Sequence, residues 1–268
     1  MIPAQFDYIK VSTIDEAVSL LTQHGYDAKI LAGGHSLIPA MKLRLNRPGL
    51  VIDINSIPGL NNITEEGNEI VVGANCTHSM IEKSSLVNEK LNILSQTAKV
   101  IGDIQIRNRG TIGGSLAHSD PSSDYPATVL ATDAVIEVQG NNGKRSIAAT
   151  DFFQGIFTTA LEDDEIITAI RFPKTDNGVY LKFYQSASRF AVVGCAALKR
   201  GGDIKVGITG VADTPYRAKS VEASYDGSAT AAQHAVDGID VMGDHFASEE
   251  YRAHLAKVFV RRALEKLG

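Results

Sequence analysis

No stretch of this 268-residue chain comes near the roughly 18 consecutive apolar residues that a membrane span requires, so a spanning helix is excluded. There are only two cysteines, Cys76 and Cys195, and no CxxC spacing. The chain by itself therefore cannot ligate a four-thiolate cluster, and both thiols read as small buried hydrophobes. Basic residues form no block: 26 Lys and Arg stand against 31 Asp and Glu, a formal net charge of -5, which sets aside a nucleic-acid partner. Met1-Ile2-Pro3 leads straight into polar sequence with no targeting address, so a cytoplasmic location is expected. Three motifs are also missing. Without GxGxxG, GxxxxGK[ST] or GxSxG, a Rossmann enzyme, a P-loop hydrolase and a serine-nucleophile enzyme all lose ground. His78 and His118 share no ligand spacing with another His, Cys or carboxylate, so no metal is expected on this chain.

What is present is a 44% hydrophobic composition, enough for one large or two ordinary domains. Asp15, Ala17, Val18, Leu20 and Leu21 fall at helical spacing between a Thr13 cap and a Gly25 stop. Residues 28–32 read as a strand, residues 37–45 as a helix, and residues 50–54 as a second strand, so the first 55 residues predict a βαβ unit. A second subdomain is expected from about residue 60. It has a strand at 70–73, helices over 79–100 broken around Ser84-Ser85, a helix over 123–132 capped by Ser122, and strands at 134–139 and 166–172. Two β-like runs, 191–199 and 204–211, flank Arg200-Gly201-Gly202-Asp203 and predict a meander. Helices are expected at 230–237 and 249–267. The shift at Thr175-Asp176-Asn177-Gly178 is the expected domain boundary.

Two segments carry chemistry. Ala32-Gly33-Gly34-His35-Ser36 pairs glycines with a following helix start, where backbone approaches a ligand closely and free N–H groups attract phosphate; Ser36 is placed to cap that helix. Thr111-Ile112-Gly113-Gly114-Ser115 repeats the glycine pair between hydroxyls and reads as a second glycine turn. Two such turns from separate subdomains suit a pyrophosphate held in the cleft between them; two unrelated loops are the other reading of the spacing.

The residues around both turns, AGGHSLIPAMKLRL from Ala32 and QIRNRGTIGGSLAHSDPSSDYP from Gln105, closely resemble the FAD-binding middle subunits of molybdenum hydroxylases of the carbon monoxide and xanthine dehydrogenase type. The resemblance covers nearly the whole chain and includes the Val51-Ile52-Asp53-Ile54 strand. It implies an α+β fold: a two-subdomain FAD-binding domain of the vanillyl-alcohol-oxidase-like type over residues 1–175, divided near residue 58, and a C-terminal β-meander and helix domain over residues 176–268.

By the same resemblance, Ala32, Gly33, Gly34, His35 and Ser36 with Thr111, Ile112, Gly113, Gly114 and Ser115 face the FAD pyrophosphate and neighbouring ribityl atoms, and Leu31 and Leu37 flank the first turn. Asp124 matches an acidic position used on the cofactor, with chemistry suited to sugar hydroxyls rather than phosphates. Its alternative is a first-turn helix carboxylate. Ile101 stands where xanthine-dehydrogenase-like relatives contact the adenine end, and Phe190 matches a bulky residue beside the isoalloxazine. Arg189 departs from the family pattern, which has an acidic residue there: a cation near the ring raises its potential, whereas a solvated arginine does nothing of the kind. Arg107 and Arg109 also match, with holding carboxylates or loop carbonyls as their structural alternative. Lys182 and Tyr184 carry no assigned role.

The implied activity is electron transfer, with no residue of this chain acting as acid or base. The implied partners are a large molybdenum-cofactor subunit and a small subunit with [2Fe–2S] clusters, in a dimer of heterotrimers. A self-sufficient flavin oxidase or reductase on the same scaffold, and a scaffold subunit that has lost FAD, are the rival readings. The first would need its own substrate pocket, and the second conflicts with two intact glycine motifs.

Overall fold

The computed structural model describes residues 1–175 and 177–268; the expected boundary over residues 175–178 includes Asp176, which lies outside the described residues. The chain opens with β1 (Asp7–Lys10), α1 (Ile14–His24), β2 (Ala28–Leu31), α2 (Leu37–Lys42) and β3 (Leu50–Asp53). The three strands form a parallel sheet in the order β1-β3-β2, with Ile30 opposite Ile52. Thr13 caps α1 by accepting from the Glu16 N–H at 3.1 Å, and Gly25 ends it at φ 55. The expected βαβ unit is therefore βαβαβ. Strand β1 escaped the sequence pattern because all four of its residues are exposed, so no alternation marks it.

The next unit holds β4 (Ile63–Glu66), β5 (Glu69–Gly73), α3 (His78–Lys83), α4 (Ser85–Lys90), α5 (Asn92–Lys99), α6 (Ile104–Arg107), α7 (Ile112–His118) and α8 (Tyr125–Ala131). It continues through β6 (Val135–Gly140), β7 (Gly143–Ala148), α9 (Ala149–Phe152), β8 (Phe153–Gly155), β9 (Thr158–Thr159) and β10 (Ile166–Pro173). Five strands form an antiparallel sheet, β4-β5-β10-β6-β7. Its inner face, including Ile70, Val72, Ile136 and Phe172, packs on Ile93, Leu94, Ile112 and Leu116 of the helices. The helical break falls where expected, since Ser84 ends α3 and its hydroxyl caps α4 through the Val87 N–H.

Two local expectations are corrected here. The second glycine segment is not a turn: Thr111 is the N-cap of α7, and both glycines lie within that helix. Gly113 is there for packing, because a Cβ on it would sit 2.6 Å from the Cβ of Ala74. Helix α8 begins at Tyr125, two residues later than expected, and Ser122 does not cap it. The Ser122 carbonyl instead accepts from the Ala191 N–H at 3.1 Å, drawing residues 121–123 out of the helix toward the C-terminal sheet.

That sheet comprises β11 (Gly178–Tyr184), β12 (Ala191–Arg200), β13 (Asp203–Thr209) and β14 (Tyr216–Arg217) in sequential antiparallel order, followed by α10 (Lys219–Ser224) and α11 (Glu249–Leu267). Strand β13 stops at Thr209, short of the expected 211, because Gly210 turns to φ 84. Residues 229–234 form a 3₁₀ turn rather than the expected helix; its i→i+3 bonds, such as Ala231 N–H to Ser228 C=O, close the tighter spiral. Helix α11 covers one sheet face through Leu255, Phe259, Ala263 and Leu267. The other face meets α8, whose backbone comes close because Gly207 on β13 has no side chain: a Cβ there would overlap the Ala127 carbonyl.

Candidate functional site

A cleft of about 490 Å³ opens where the three groups of elements meet, within the range of small-molecule sites. Ala32, Gly33, Gly34, His35, Ser36 and Leu37 form one wall; Thr111, Gly113, Gly114 and Ser115 form the opposite wall. Ile101, Asp124 and Phe190 line it as well, Phe190 at the rim with 48% exposure. Leu31 and Ile112 stand behind the walls. Leu31 supports the first turn, its Cδ1 lying 3.1 Å from where a Gly34 Cβ would be, and Ile112 is fully buried in the core.

The first glycine turn touches the Arg109–Gly110 backbone that leads into the second wall. A Cβ on Gly33 would overlap the Arg109 carbonyl oxygen and lie 2.8 Å from the Gly110 Cα, while Gly34 provides the turn at φ 76. The walls differ in what they offer a ligand. Among the described residues, the backbone N–H groups of Gly33, Gly34, His35 and Ser36 find no acceptor, and the Ser36 hydroxyl makes no capping bond. On the other wall the donors are already engaged: Ile112 N–H on Cys76 C=O, Gly113 N–H on Ala74 C=O, Gly114 N–H on the Thr111 hydroxyl and Ser115 N–H on Thr111 C=O. The first wall thus supplies donors for an anion, and the second supplies hydroxyls, with Ser115 Oγ and Ser123 Oγ 2.7 Å apart.

Asp124 is the buried carboxylate of the cleft. Its Oδ1 accepts from the Tyr180 hydroxyl at 2.6 Å and its Oδ2 from Lys182 Nζ at 2.8 Å, while Lys182 also donates to the Val100 carbonyl at 3.2 Å. Burial raises the Asp124 carboxyl above its ordinary range, opposed by Lys182 and Tyr180. It is the N-cap of α8 but makes no side-chain capping bond, so its carboxylate serves the cleft wall rather than the helix end. Lys182, left without a role by sequence reasoning, is the cation that balances it. Nothing in the spacing of residues 58 apart signalled this.

Two further residues of the cleft floor lay outside the glycine motifs. His78 is bonded through Nδ1 to the Tyr125 hydroxyl at 3.2 Å, and burial lowers its pKa to about 3, with the charges of His35 and Arg107 adding to the effect. The imidazole is neutral, and a Cβ on Gly110 would lie 2.5 Å from its Nε2. Asn75 donates from Nδ2 to the Ile54 carbonyl at 3.0 Å, while its buried Oδ1 has no donor. Arg107 has a structural role, pairing with Glu82 at 3.0 Å and donating to the Ile101 carbonyl at 3.2 Å. His118 stacks on Phe157 with ring centroids 5.0 Å apart. Arg189 holds the cleft mouth beside Phe190 at φ 62. Burial pushes both Cys76 and Cys195 up to about 12, so neither is a nucleophile or ligand at neutral pH. Among the described residues no group of three or more His, Cys, Asp or Glu side chains is placed to hold a metal ion.

A mostly apolar cleft with one run of free backbone donors, serine hydroxyls and a buried carboxylate among its lining residues suits a ligand that carries phosphate. Comparison with known proteins specifies it. The family described as the FAD binding domain in molybdopterin dehydrogenase matches residues 4–175, and the CO dehydrogenase flavoprotein C-terminal domain matches residues 179–267. The carbon monoxide dehydrogenase medium chain of Hydrogenophaga pseudoflava is 39% identical, over 98% of this chain and 97% of its own. The glyceraldehyde dehydrogenase medium chain of Sulfolobus acidocaldarius is 34% identical over the full length of both. The solved structure of the H. pseudoflava carbon monoxide dehydrogenase lacking the Mo-pyranopterin moiety superimposes with a TM-score of 0.94, covering 100% of this chain and 98% of the other. The chain belongs to the FAD-binding medium subunits of molybdenum-containing dehydrogenases.

Proposed function

We infer that this chain is the electron-transferring FAD subunit of a multi-chain molybdenum hydroxylase, receiving electrons from a partner's iron–sulfur clusters and delivering them to an external acceptor. The observation that carries the reading is the run of uncommitted N–H groups from Gly33 to Ser36, lining one cleft with Gly113 and Gly114. FAD, when bound, supplies the redox chemistry, accepting electrons and passing them on. The chain's own residues bind and orient it. Gly33 to Ser36 hold the diphosphate with backbone donors, Thr111, Gly113, Gly114 and Ser115 close over it, and Asp124 receives sugar hydroxyls beside its Lys182 partner. Ile101 and Leu37 contribute apolar contact, and Phe190 covers the ring at the rim. No residue here is assigned to proton transfer.

A large molybdenum-binding subunit and a small [2Fe–2S] subunit complete the unit, paired as a dimer of heterotrimers. Relatives named as medium chains and subunits of dehydrogenase complexes support the presence of partner subunits. The FAD-binding domain spans residues 1–175 and the C-terminal domain residues 176–268. The complex works in the cytoplasm; the two free cysteines are consistent with a reducing compartment.

Purification from the native host with metal and flavin analysis tests this. The expected result is one FAD per copy of this chain, co-purifying with molybdenum and iron in two further polypeptides. A flavin-free chain, or a metal-free single chain that oxidises a substrate at full rate, would overturn it.

A further inference from the structure

Arg252 stands at the end of the first turn of α11 with only 2% of its surface exposed. Enclosure and position both oppose a cation there, since burial penalises the charge and the positive end of the helix dipole repels it. Its bonds offset that cost. Nη1 donates to the Val192 carbonyl at 2.8 Å and to the Gly210 carbonyl, and Nη2 donates to Asp244 Oδ2 at 2.6 Å. Asp244 is itself held, its Oδ1 accepting from the N–H groups of Phe246 at 2.8 Å and Ala247 at 3.0 Å.

The two carbonyls lie where the C-terminal sheet comes apart. Pairing between β12 and β13 ends at Gly194 and Thr209, and Val192 is the extra residue of a bulge between the Phe183–Val193 and Tyr184–Ala191 pairs. Val192 and Gly210 therefore stand outside the paired register. Residues 121–123 are tied on here. Gly210 N–H donates to the Pro121 carbonyl at 2.8 Å and Ala191 N–H to the Ser122 carbonyl at 3.1 Å, while the Thr209 hydroxyl lies 2.7 Å from the Pro121 carbonyl oxygen and 2.8 Å from that of Ser123. Asp120, Ser123 and Asp124, on and beside this segment, line the cleft, and Arg252 does not. It holds the carbonyls of the strand ends whose N–H groups and hydroxyl carry the cleft wall.

We propose that Arg252 is a positioning residue of the cofactor cleft: by tying Val192 to Gly210 it fixes the strand ends that carry residues 121–123, and through them the places of Ser123 and Asp124 in the wall. This rests on the FAD reading above. Without the guanidinium, the carbonyls of two buried residues lose a donor, the strand ends shift to find others, and the wall shifts with them. A helix of the C-terminal domain thus sets how tightly the cofactor is held without touching it.

The test is titration of the flavin-free full-length chain with FAD, followed by flavin fluorescence well below each melting temperature, for the wild type, Arg252→Met, Arg252→Lys and Val260→Ala. Val260 is the control: it is fully buried two turns further along α11 and packs in the same C-terminal core, so its truncation lowers stability without touching the strand ends. Arg252→Met should bind FAD about tenfold more weakly, as expected for a change that acts through packed intermediaries. Arg252→Lys, which keeps the charge on a single donor nitrogen, should fall between Arg252→Met and the wild type. Val260→Ala should melt earlier and bind FAD as the wild type does. A wild type that fails to bind FAD defeats the parent reading. A wild type that binds, with Arg252→Met equally tight or with Val260→Ala weakened as much for the same drop in melting temperature, defeats only this proposal and leaves Arg252 a purely structural residue. Should Arg252→Met not fold, Arg252→Lys against Val260→Ala decides by the same comparison.

Discussion

Lys182 on β11 and Asp124 at the start of α8 form an ion pair of 2.8 Å, with side-chain exposures of 3% and 5%, that joins the C-terminal sheet to the wall of the cleft. Both charges are enclosed, and each depends on the other for compensation. Lys182→Met leaves the carboxylate buried beside only Tyr180, and the expected loss is about 3–5 kcal/mol in urea unfolding. The Lys182→Met, Asp124→Leu double variant should cost clearly less than the sum of the single changes. Additive losses would show that the pair is not coupled.

Gly33 is required for what a side chain there would strike, not for its φ, since the left-handed residue of the turn is Gly34. Even Gly33→Ala pushes into the Arg109–Gly110 backbone, so flavin content of the purified protein should fall to near zero. Gly202→Ala is the matched control: nothing lies within 4 Å of its Cβ, and stability should stay within about 0.5 kcal/mol. Full flavin content in Gly33→Ala would mean that the two walls do not form the diphosphate site.

His78 predicts a pH dependence. Its folded pKa is near 3, against 6.5 for the free imidazole, so below pH 6.5 the unfolded chain takes up a proton that the folded chain refuses. Its contribution to stability is therefore complete above pH 6.5 and is lost progressively as pH falls toward 3, by about 1.4 kcal/mol per pH unit. At pH 5 the loss reaches about 2 kcal/mol. Urea unfolding of the wild type and His78→Leu from pH 7 to pH 4 should give curves that converge toward acid; parallel curves would remove His78 as the titrating group.

FAD should be held without a covalent link. Neither glycine motif contains Cys or Tyr, and His35 is the residue of those motifs able to form a bond to the ring. Denaturation followed by filtration should carry the yellow colour through the membrane, and colour retained on the unfolded chain would point to His35.

The sequence by itself determined the two glycine segments, much of the order of strands and helices around them, and thirteen of the residues that line the cleft, because glycine pairs and apolar periodicity are local signals. It marked Ser84 as the helix break and Thr13 and Gly25 as helix ends for the same reason. Tertiary structure decided the rest. Whether Gly113-Gly114 turned or continued a helix depended on Ala74, 39 positions away in the chain, pressing against Gly113. Strand β1 exists because it pairs with β3, with no pattern of its own. The donors of the second wall are spent on Cys76 and Ala74, and the charge of Asp124 is balanced by Lys182. The unpaired oxygen of Asn75 follows from an amide turned toward Ile54. Each of these is a contact between segments distant in sequence, and the energy of such a contact depends on enclosure and partner geometry that residue order alone does not encode.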